Sequence, residues 1–434
     1  MLSPSPVRRD RLNSDNKMRP GFSYHRGKTK FFSSFLRTAL WFIIFVSFPA
    51  AAQSVSPSGD SPVLVSHSAV VMDAGTGTIV YYKNPDDEIS PASLTKLMTM
   101  HLAFKEIAAG KASLEEIITP PRESWAVNQP RRSSVMGLAN GQNLSLKDLL
   151  LGMAVFSGND AATATALCFA PSVGAFVEMM NREAAALGLE KTRFVDTSGY
   201  SENNMTTARE FAEFCRIYLE EHPESLKDFH AVRTFAYPRA ENVAERYQGN
   251  PGTIVHQNHN TLLGKVEGVD GFKTGYIDES GYNIALTARR DGTRFIAVIL
   301  GAPAEWGGDR LRDEDGKKLL EWAFSHYKTV RPTPQTPEPF RVWKGKENYV
   351  NIVWGAPLDF TAPAERGENI SWIIESVDPL IAPLPAGSLA GSLVIFDNLG
   401  ELRRVPLLTA VDIEKGGFFK RLFDSIRLFF RSKR

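Results

Sequence analysis

Ser93 and Lys96 stand three residues apart at the head of an apolar run, Leu97-Met98-Thr99-Met100-His101-Leu102-Ala103-Phe104. A helix turns once in about 3.6 residues, so this spacing stacks the hydroxyl and the amine on one face. Pro91 suits a helix start, and Ser93 then falls in the first turn. Unpaired N–H groups and the positive dipole end there favour an oxyanion. The unbroken apolar character predicts a buried helix. Burial disfavours the charged form of lysine, and a neutral lysine can act as a base. The pair therefore has the chemistry of a serine nucleophile with a lysine base. A four-residue pattern is also a common coincidence, so its weight depends on what the rest of the chain brings to it.

Two later triplets could join it: Ser157-Gly158-Asn159 and Lys273-Thr274-Gly275. The first interrupts a helical stretch. Ser145-Leu146-Lys147-Asp148 resembles a capping box ahead of Leu149–Phe156, and an alanine-rich helical run leads from Asp160 to Cys168. Helical patterns follow at 173–187 and 207–219. The second triplet lies where strands return. Residues 282–288 and 294–300 flank Arg290-Asp291-Gly292, a hairpin signal. Near the start, residues 69–73 and 78–82 flank Ala74-Gly75-Thr76-Gly77, another hairpin. A helix at 313–327 closes the unit. Strands at both ends of a helical middle predict an α+β fold, an antiparallel sheet with helices packed on it.

A stiff Pro-rich stretch, Arg331 to Pro339, reads as a linker. Short strand-like runs beyond it (340–343, 349–354, 370–374, 393–396, 404–408) predict a small all-β domain without catalytic residues. At the end, Phe418, Phe419, Leu422, Phe423, Ile426, Phe429 and Phe430 share one helical face, and Lys420, Arg421, Asp424, Arg427 and Arg431 the other. A helix of that kind lies in a membrane interface; the alternatives are an amphipathic helix folded onto the β domain or a basic tail.

The chain has 434 residues, 43% hydrophobic and 23% charged, with a net charge of +1. That is ordinary globular composition, and the basic residues gather at the ends, which gives no sign of nucleic-acid binding. Residues 1–37 carry nine basic and two acidic residues, followed by an apolar core at 39–48 and Ala50-Ala51-Ala52. This predicts an export signal over 1–52 with Gln53 as the first mature residue; an uncleaved anchor is the alternative. Cys168 and Cys215 are the only cysteines, expected as two buried thiols. His256 and His259 lack further ligands at suitable spacing and are expected in a loop, so no metal and no cofactor is expected. Gly75 and Gly77 do not make a dinucleotide fingerprint, because residue 80 is Val.

The three fragments occur in the order of the penicillin-binding-protein and serine β-lactamase superfamily. Their flanks resemble the low-molecular-mass D-alanyl-D-alanine carboxypeptidases, peptidase family S11. The resemblance rests on Pro91-Ala92-Ser93-Leu94-Thr95-Lys96, on Ser157-Gly158-Asn159-Asp160-Ala161-Ala162, and on Gly268 through Tyr276. Phe194-Val195-Asp196-Thr197-Ser198-Gly199 resembles the family's connecting loop, and the likeness continues through Pro379–Leu384 into the tail. It implies a penicillin-binding-protein/β-lactamase-like catalytic domain over 53–330, a small β-sandwich over 331–411 and a membrane-anchoring helix over 412–434. Two positions depart from the family's habit: Ile277 where Thr is common, and Asp196 where Asn is common.

The resemblance assigns roles. Ser93 is the acyl-ester nucleophile and Lys96 the general base. Ser157 relays a proton to the leaving D-alanine, and Asn159 bonds the substrate amide and positions Lys96. Lys273, Thr274, Gly275 and Tyr276 bind substrate, with the N–H groups of Ser93 and Tyr276 as the oxyanion hole. Arg312 is the expected reader of the substrate carboxylate, with Arg310 as the alternative. The implied activity is removal of the terminal D-alanine from peptidoglycan stem peptides ending in D-Ala-D-Ala, with β-lactams acylating Ser93. The implied place is the periplasm, peripherally attached to the outer face of the cytoplasmic membrane. The rival readings are a D-alanyl-D-alanine endopeptidase, a β-lactamase and a non-catalytic wall-binding scaffold. No Glu-x-x-Leu-Asn element stands between the second and third motifs, which disfavours the β-lactamase.

Overall fold

The computed structural model describes residues 60–431; the expected export signal lies outside them. Its centre is a five-stranded antiparallel sheet in the order β2-β1-β9-β8-β7. The hairpin of β1 (Ser68–Asp73) and β2 (Ile79–Lys83) comes from the start of the chain. The strands β7 (Val269–Ile277), β8 (Gly281–Arg290) and β9 (Thr293–Ala302) come some 200 residues later. β1 pairs with β9, which joins the two ends of the unit, and β7 forms one open edge.

Both faces of the sheet are covered, so its inner strands read as continuous apolar runs. In β9, Ile296, Val298 and Leu300 face one core while Phe295, Ala297 and Ile299 face the other. The first core holds five helices: α1 (Lys96–Ala108), α2 (Leu146–Phe156), α3 (Asn159–Phe169), α4 (Val173–Ala186) and α5 (Ala208–Glu221). The second is closed by α6 (Gly308–His326). Two short ribbons complete this lobe: β3 (Ile117–Ile118) with β4 (Leu144–Ser145), and β5 (Thr234–Tyr237) with β6 (Ile254–Gln257). In α1, nine consecutive residues from Lys96 to Phe104 are buried. At about 1.5–3 kcal/mol per large apolar side chain, that run fixes the helix firmly. The capping box expected at Ser145 and Asp148 is present at the start of α2.

Some expectations need correction. Ser93 is not in the first turn of the α-helix: Ala92–Thr95 form a 3-10 turn, and α1 begins at Lys96. Both cysteines are free, but only Cys215 is buried; Cys168 is exposed in the last turn of α3. A run of alanines gives little sign of which side of a helix faces out. His256 sits within β6 rather than in a loop, and His259 follows two residues after that strand.

The C-terminal lobe begins with β10 (Tyr327–Val330), which continues directly from α6 and pairs with β14 (Phe360–Pro363). The Pro-rich stretch then leads to β11 (Phe340–Trp343), flanked by β12 (Tyr349–Val350) and β16 (Leu380–Ile381). A four-stranded sheet holds β13 (Ile352–Trp354), β18 (Gly400–Thr409), β17 (Leu389–Asp397) and β15 (Ser371–Ser376). These sheets share one apolar core. The two lobes also share hydrogen bonds. The buried Asp73, at the end of β1, accepts from Thr329 Oγ1 (2.9 Å) on β10 and Thr361 Oγ1 (2.8 Å) on β14. It also takes the Gly75 N–H at 2.9 Å.

The chain ends in α7 (Phe418–Arg431), which lies on the β lobe by its polar side. Asp424 is buried and accepts the Lys344 N–H (2.7 Å) and a Lys420 Nζ hydrogen (2.8 Å), and Arg431 pairs with Asp378. The aromatic side points outward: Phe418, Phe419, Leu422, Phe423, Ile426, Phe429 and Phe430 are each 45–72% exposed.

Candidate active site

The three sequence fragments meet at the start of α1. Pro91 precedes the 3-10 turn, and Ala92 is held at φ +49°, a left-handed conformation that a side-chain-bearing residue adopts at a cost. That twist turns the chain sharply before Ser93. β7 passes directly behind it. A Cβ placed on Gly275 would lie 2.8 Å from Pro91 O, 3.0 Å from Ser93 N and 3.2 Å from Ala92 Cβ, so only glycine admits this approach. Asn283 on β8 ties the same segment to the sheet, donating to Ser90 O (3.0 Å) and accepting the Gly301 N–H (2.8 Å).

Lys96 is fully buried, and its Nζ has three neighbours: Asn159 Oδ1 at 2.7 Å, Ser198 O at 2.6 Å and Ser93 Oγ at 3.0 Å. The geometry suits a neutral amine. Two hydrogens serve the two carbonyl oxygens, and the lone pair then faces the Ser93 hydroxyl. Burial pushes the Lys96 pKa down to about 7, against the opposing pull of Asp196 and Asp160. About half of such a lysine is neutral at pH 7, against fewer than one in a thousand at the ordinary value.

Ser157 and Asn159 belong to the turn between α2 and α3. Ser157 ends α2 in the left-handed region (φ +65°), its N–H bonded to Met153 O, and Gly158 caps α3. Asp160 explains the residues after the triplet. Its buried carboxylate accepts the N–H groups of Met136, Gly137, Leu138 and Ala161 at 2.9–3.0 Å. It thereby fixes the loop over the turn that presents Ser157 and Asn159.

Lys273 and Thr274 are buried on β7, the edge strand, and Lys273 Nζ donates to Thr274 O at 2.9 Å. Burial, with Lys96 and Arg312 nearby, holds Lys273 well below the ordinary lysine range. Tyr276, next along the strand, is 40% exposed and stacks on Tyr282 at 4.3 Å. The two candidate arginines differ in setting. Arg312 is 5% exposed, lies 5.9 Å over the Tyr282 ring near Lys273 and is paired with Asp313 at 2.6 Å, whereas the Arg310 side chain is 78% exposed and lies 3.7 Å from Glu314.

Three participants escaped the sequence reading. Ser198 contributes through its carbonyl, which no side-chain pattern can reveal. Asp196 was visible only as a departure from a family habit. His259 was set aside as a loop residue. Its ring lies 5.3 Å from Phe156, and burial together with Lys273, Arg312 and Lys96 pushes its pKa down to about 4. The residue as a whole is exposed, so the imidazole borders the site from the solvent side. Among the described residues, donors that could hold a metal gather away from the site, at His101, Glu221 and His222. There His222 and His101 are already bonded to each other (2.9 Å), and His101 to Glu183 (3.1 Å), a satisfied polar network.

The arrangement can therefore ionise a half-buried serine beside an edge strand that carries Lys273. Comparison with known proteins bears on what it acts upon. The family described as D-alanyl-D-alanine carboxypeptidase matches residues 53–304, and the penicillin-binding protein 5 C-terminal domain matches residues 327–415. The D-alanyl-D-alanine carboxypeptidase DacC of Escherichia coli (strain K12) is 32% identical over 92% of this chain and 97% of its own. A D-alanyl-D-alanine endopeptidase of Pseudomonas aeruginosa is 26% identical over 69% of this chain and 90% of its own. Penicillin-binding protein 5 of Haemophilus influenzae superposes with a TM-score of 0.69 at 29% identity, covering 83% of this chain and 100% of that one. Penicillin-binding protein D2 of Listeria monocytogenes, in its cefotaxime-bound form, gives 0.51 at 28% identity over 60% and 98%.

Proposed function

Because the chain belongs to the D-alanyl-D-alanine carboxypeptidase family, peptidase S11, we propose that Ser93, Lys96, Ser157, Asn159, Lys273, Thr274 and Arg312 form its active site. The chain is a serine-type D-Ala-D-Ala carboxypeptidase with a penicillin-binding fold. In this reading Ser93 Oγ attacks the carbonyl carbon between the two D-alanines as Lys96 Nζ takes its proton. The C–N bond breaks, and the proton reaches the leaving D-alanine nitrogen by way of Ser157. Water then hydrolyses the acyl-enzyme. The developing oxyanion is met by the N–H groups of Ser93 and Tyr276. The peptide adds to β7 as an extended strand, and Lys273, Thr274 and Arg312 take its terminal carboxylate. The observation that carries the assignment is the Lys96 environment: two carbonyl acceptors and one serine hydroxyl around a buried amine.

The boundaries expected at 330 and 411 shift, because β10 pairs with β14 and Ile413 joins the β-lobe core: the catalytic domain then ends with α6 at His326, the β domain runs over 327–415, and α7 attaches the protein to the membrane surface. The outward aromatic face of α7 and its basic neighbours support that attachment. The basic start and apolar core of residues 1–52 support export, and with α7 they favour the outer face of the cytoplasmic membrane. Free D-alanine released from a peptide ending in D-Ala-D-Ala tests the reading. The wild-type chain should release it and the Ser93→Ala variant should not. Covalent penicillin capture without D-alanine release, and cleavage of a crosslinked dimer instead, would mean an endopeptidase.

A further inference from the structure

Asp196 sits in none of the three fragments, yet its carboxylate organises the turn that bonds Lys96. Its Oδ1 accepts the N–H groups of Ser198 (2.7 Å) and Gly199 (2.6 Å) and the Ser198 hydroxyl (3.0 Å). Its Oδ2 accepts the Ser201 N–H and an Asn204 Nδ2 hydrogen, both at 2.8 Å. The turn so folded directs Ser198 O at Lys96 Nζ (2.6 Å) and Thr197 O at Thr99 Oγ1 (2.7 Å). Gly199 presses on the nucleophile turn so closely that a Cβ there would fall 1.8 Å from Ala92 O.

We propose that Asp196 is a positioning residue for the lysine base: it folds the turn that holds Lys96 in place, and its charge favours the ammonium that forms when Lys96 takes the serine proton. Burial alone would raise the pKa of this carboxyl, but the hydrogen bonds from Ser201, Asn204, Ser198 and Gly199 outweigh it and keep it ionised. The other charged and titratable groups around Lys96 are Asp160 from α3, which acts in the same sense, and Lys273 from β7 and His259, whose charged forms a Lys96 ammonium disfavours. Removing the negative charge of Asp196 lowers the Lys96 pKa, so the base becomes available at lower pH but binds the serine proton less strongly.

The inference rests on Lys96 being the base, so the test separates the two. The second-order rate of Ser93 acylation by penicillin is measured from pH 5 to pH 10 on the full-length chain. For Asp196→Asn the acid limb should move down by about one pH unit, the order expected of one elementary charge nearby at a protein's effective dielectric. On that limb the variant should retain about ten times more of its own plateau rate than wild type does. Because an amide at 196 would point a donor at Ser201 N and Asn204 Nδ2, the exchanged pair Asp196→Asn with Asn204→Asp is measured beside it. That pair keeps a carboxylate–amide contact and the net charge, on the far side from the Ser198 turn, so its limb should also move down, by less. A purely structural role would lower the plateau and leave the limb where it is in both variants, which would overturn the proposal. Lys96→Arg tests the premise separately: acylation within tenfold of wild type would remove Lys96 as base, whatever Asp196 does.

Discussion

Gly275→Ala tests whether β7 really lies against the nucleophile turn. A methyl at this position meets three atoms of the turn, the nearest at 2.8 Å, where ordinary contact begins at about 3.4 Å. Strand and turn must therefore separate by roughly 0.6 Å, the difference of those two distances. The φ angle is not in the left-handed region, so no backbone strain is added. In a strand, Ala for Gly otherwise stabilises by about 0.5–1 kcal/mol. Overpacking against backbone costs about 1–3 kcal/mol, and it wins here because neither side is a flexible side-chain end. The net effect should be a melting temperature lower by a few degrees. The effect on chemistry should be larger. Misplacing catalytic groups by about 1 Å costs on the order of a hundredfold, so the penicillin acylation rate should fall at least tenfold. Gly174→Ala in α4 is the control, since its nearest neighbour is Ser172 Oγ at 3.9 Å, and it should stabilise without touching acylation. A Gly275→Ala protein that acylates at the wild-type rate and melts no lower would refute the close approach and the site geometry built on it.

Arg312→Ala should lower kcat/KM for a D-Ala-D-Ala peptide by about 10- to 100-fold, the loss of one charge-assisted hydrogen bond, while Arg310→Ala stays within twofold. The difference should vanish on a peptide amide that lacks the terminal carboxylate; if it persists, Arg312 does not read that group. Replacing Phe419 and Phe423 by Glu should weaken co-sedimentation with anionic vesicles by more than tenfold, since each ring buries about 1.5–3 kcal/mol of apolar surface. D-Alanine release in solution should stay unchanged, and equal sedimentation would exclude α7 as the attachment.

The three fragments of the candidate site were legible because the chemistry proposed for them needs particular side chains at particular spacings. Ser93 and Lys96 declared themselves through a helical repeat, and the capping box at Ser145 fixed the start of α2. What stayed hidden was carried by backbone or by packing. The Ser198 carbonyl leaves no trace in residue type. The 3-10 turn at Ala92–Thr95 depends on a left-handed Ala92 that propensity would not choose, and it is imposed by Gly199 and Gly275 from either side. In the β lobe, β14 and β16 are four and two residues long, too short for alternation to register. Residues 349–354 read as one strand but divide at Asn351 into β12 and β13, which join different sheets.

The junction at Asp73 decides what kind of machine the two lobes make. One carboxylate gathers hydroxyls from Thr329 and Thr361 while standing at the end of a catalytic-sheet strand, and Thr76 meets Thr361 at 2.6 Å beside it. A joint of this sort works as a weld and not as a tether. A tilt of the β lobe against the catalytic sheet has to break these hydrogen bonds, so they hold the separation of the two lobes as the length of a lever. The Pro-rich stretch at 331–339 comes after β10 has already locked onto β14, so residues inserted there would lengthen the chain without lengthening that lever.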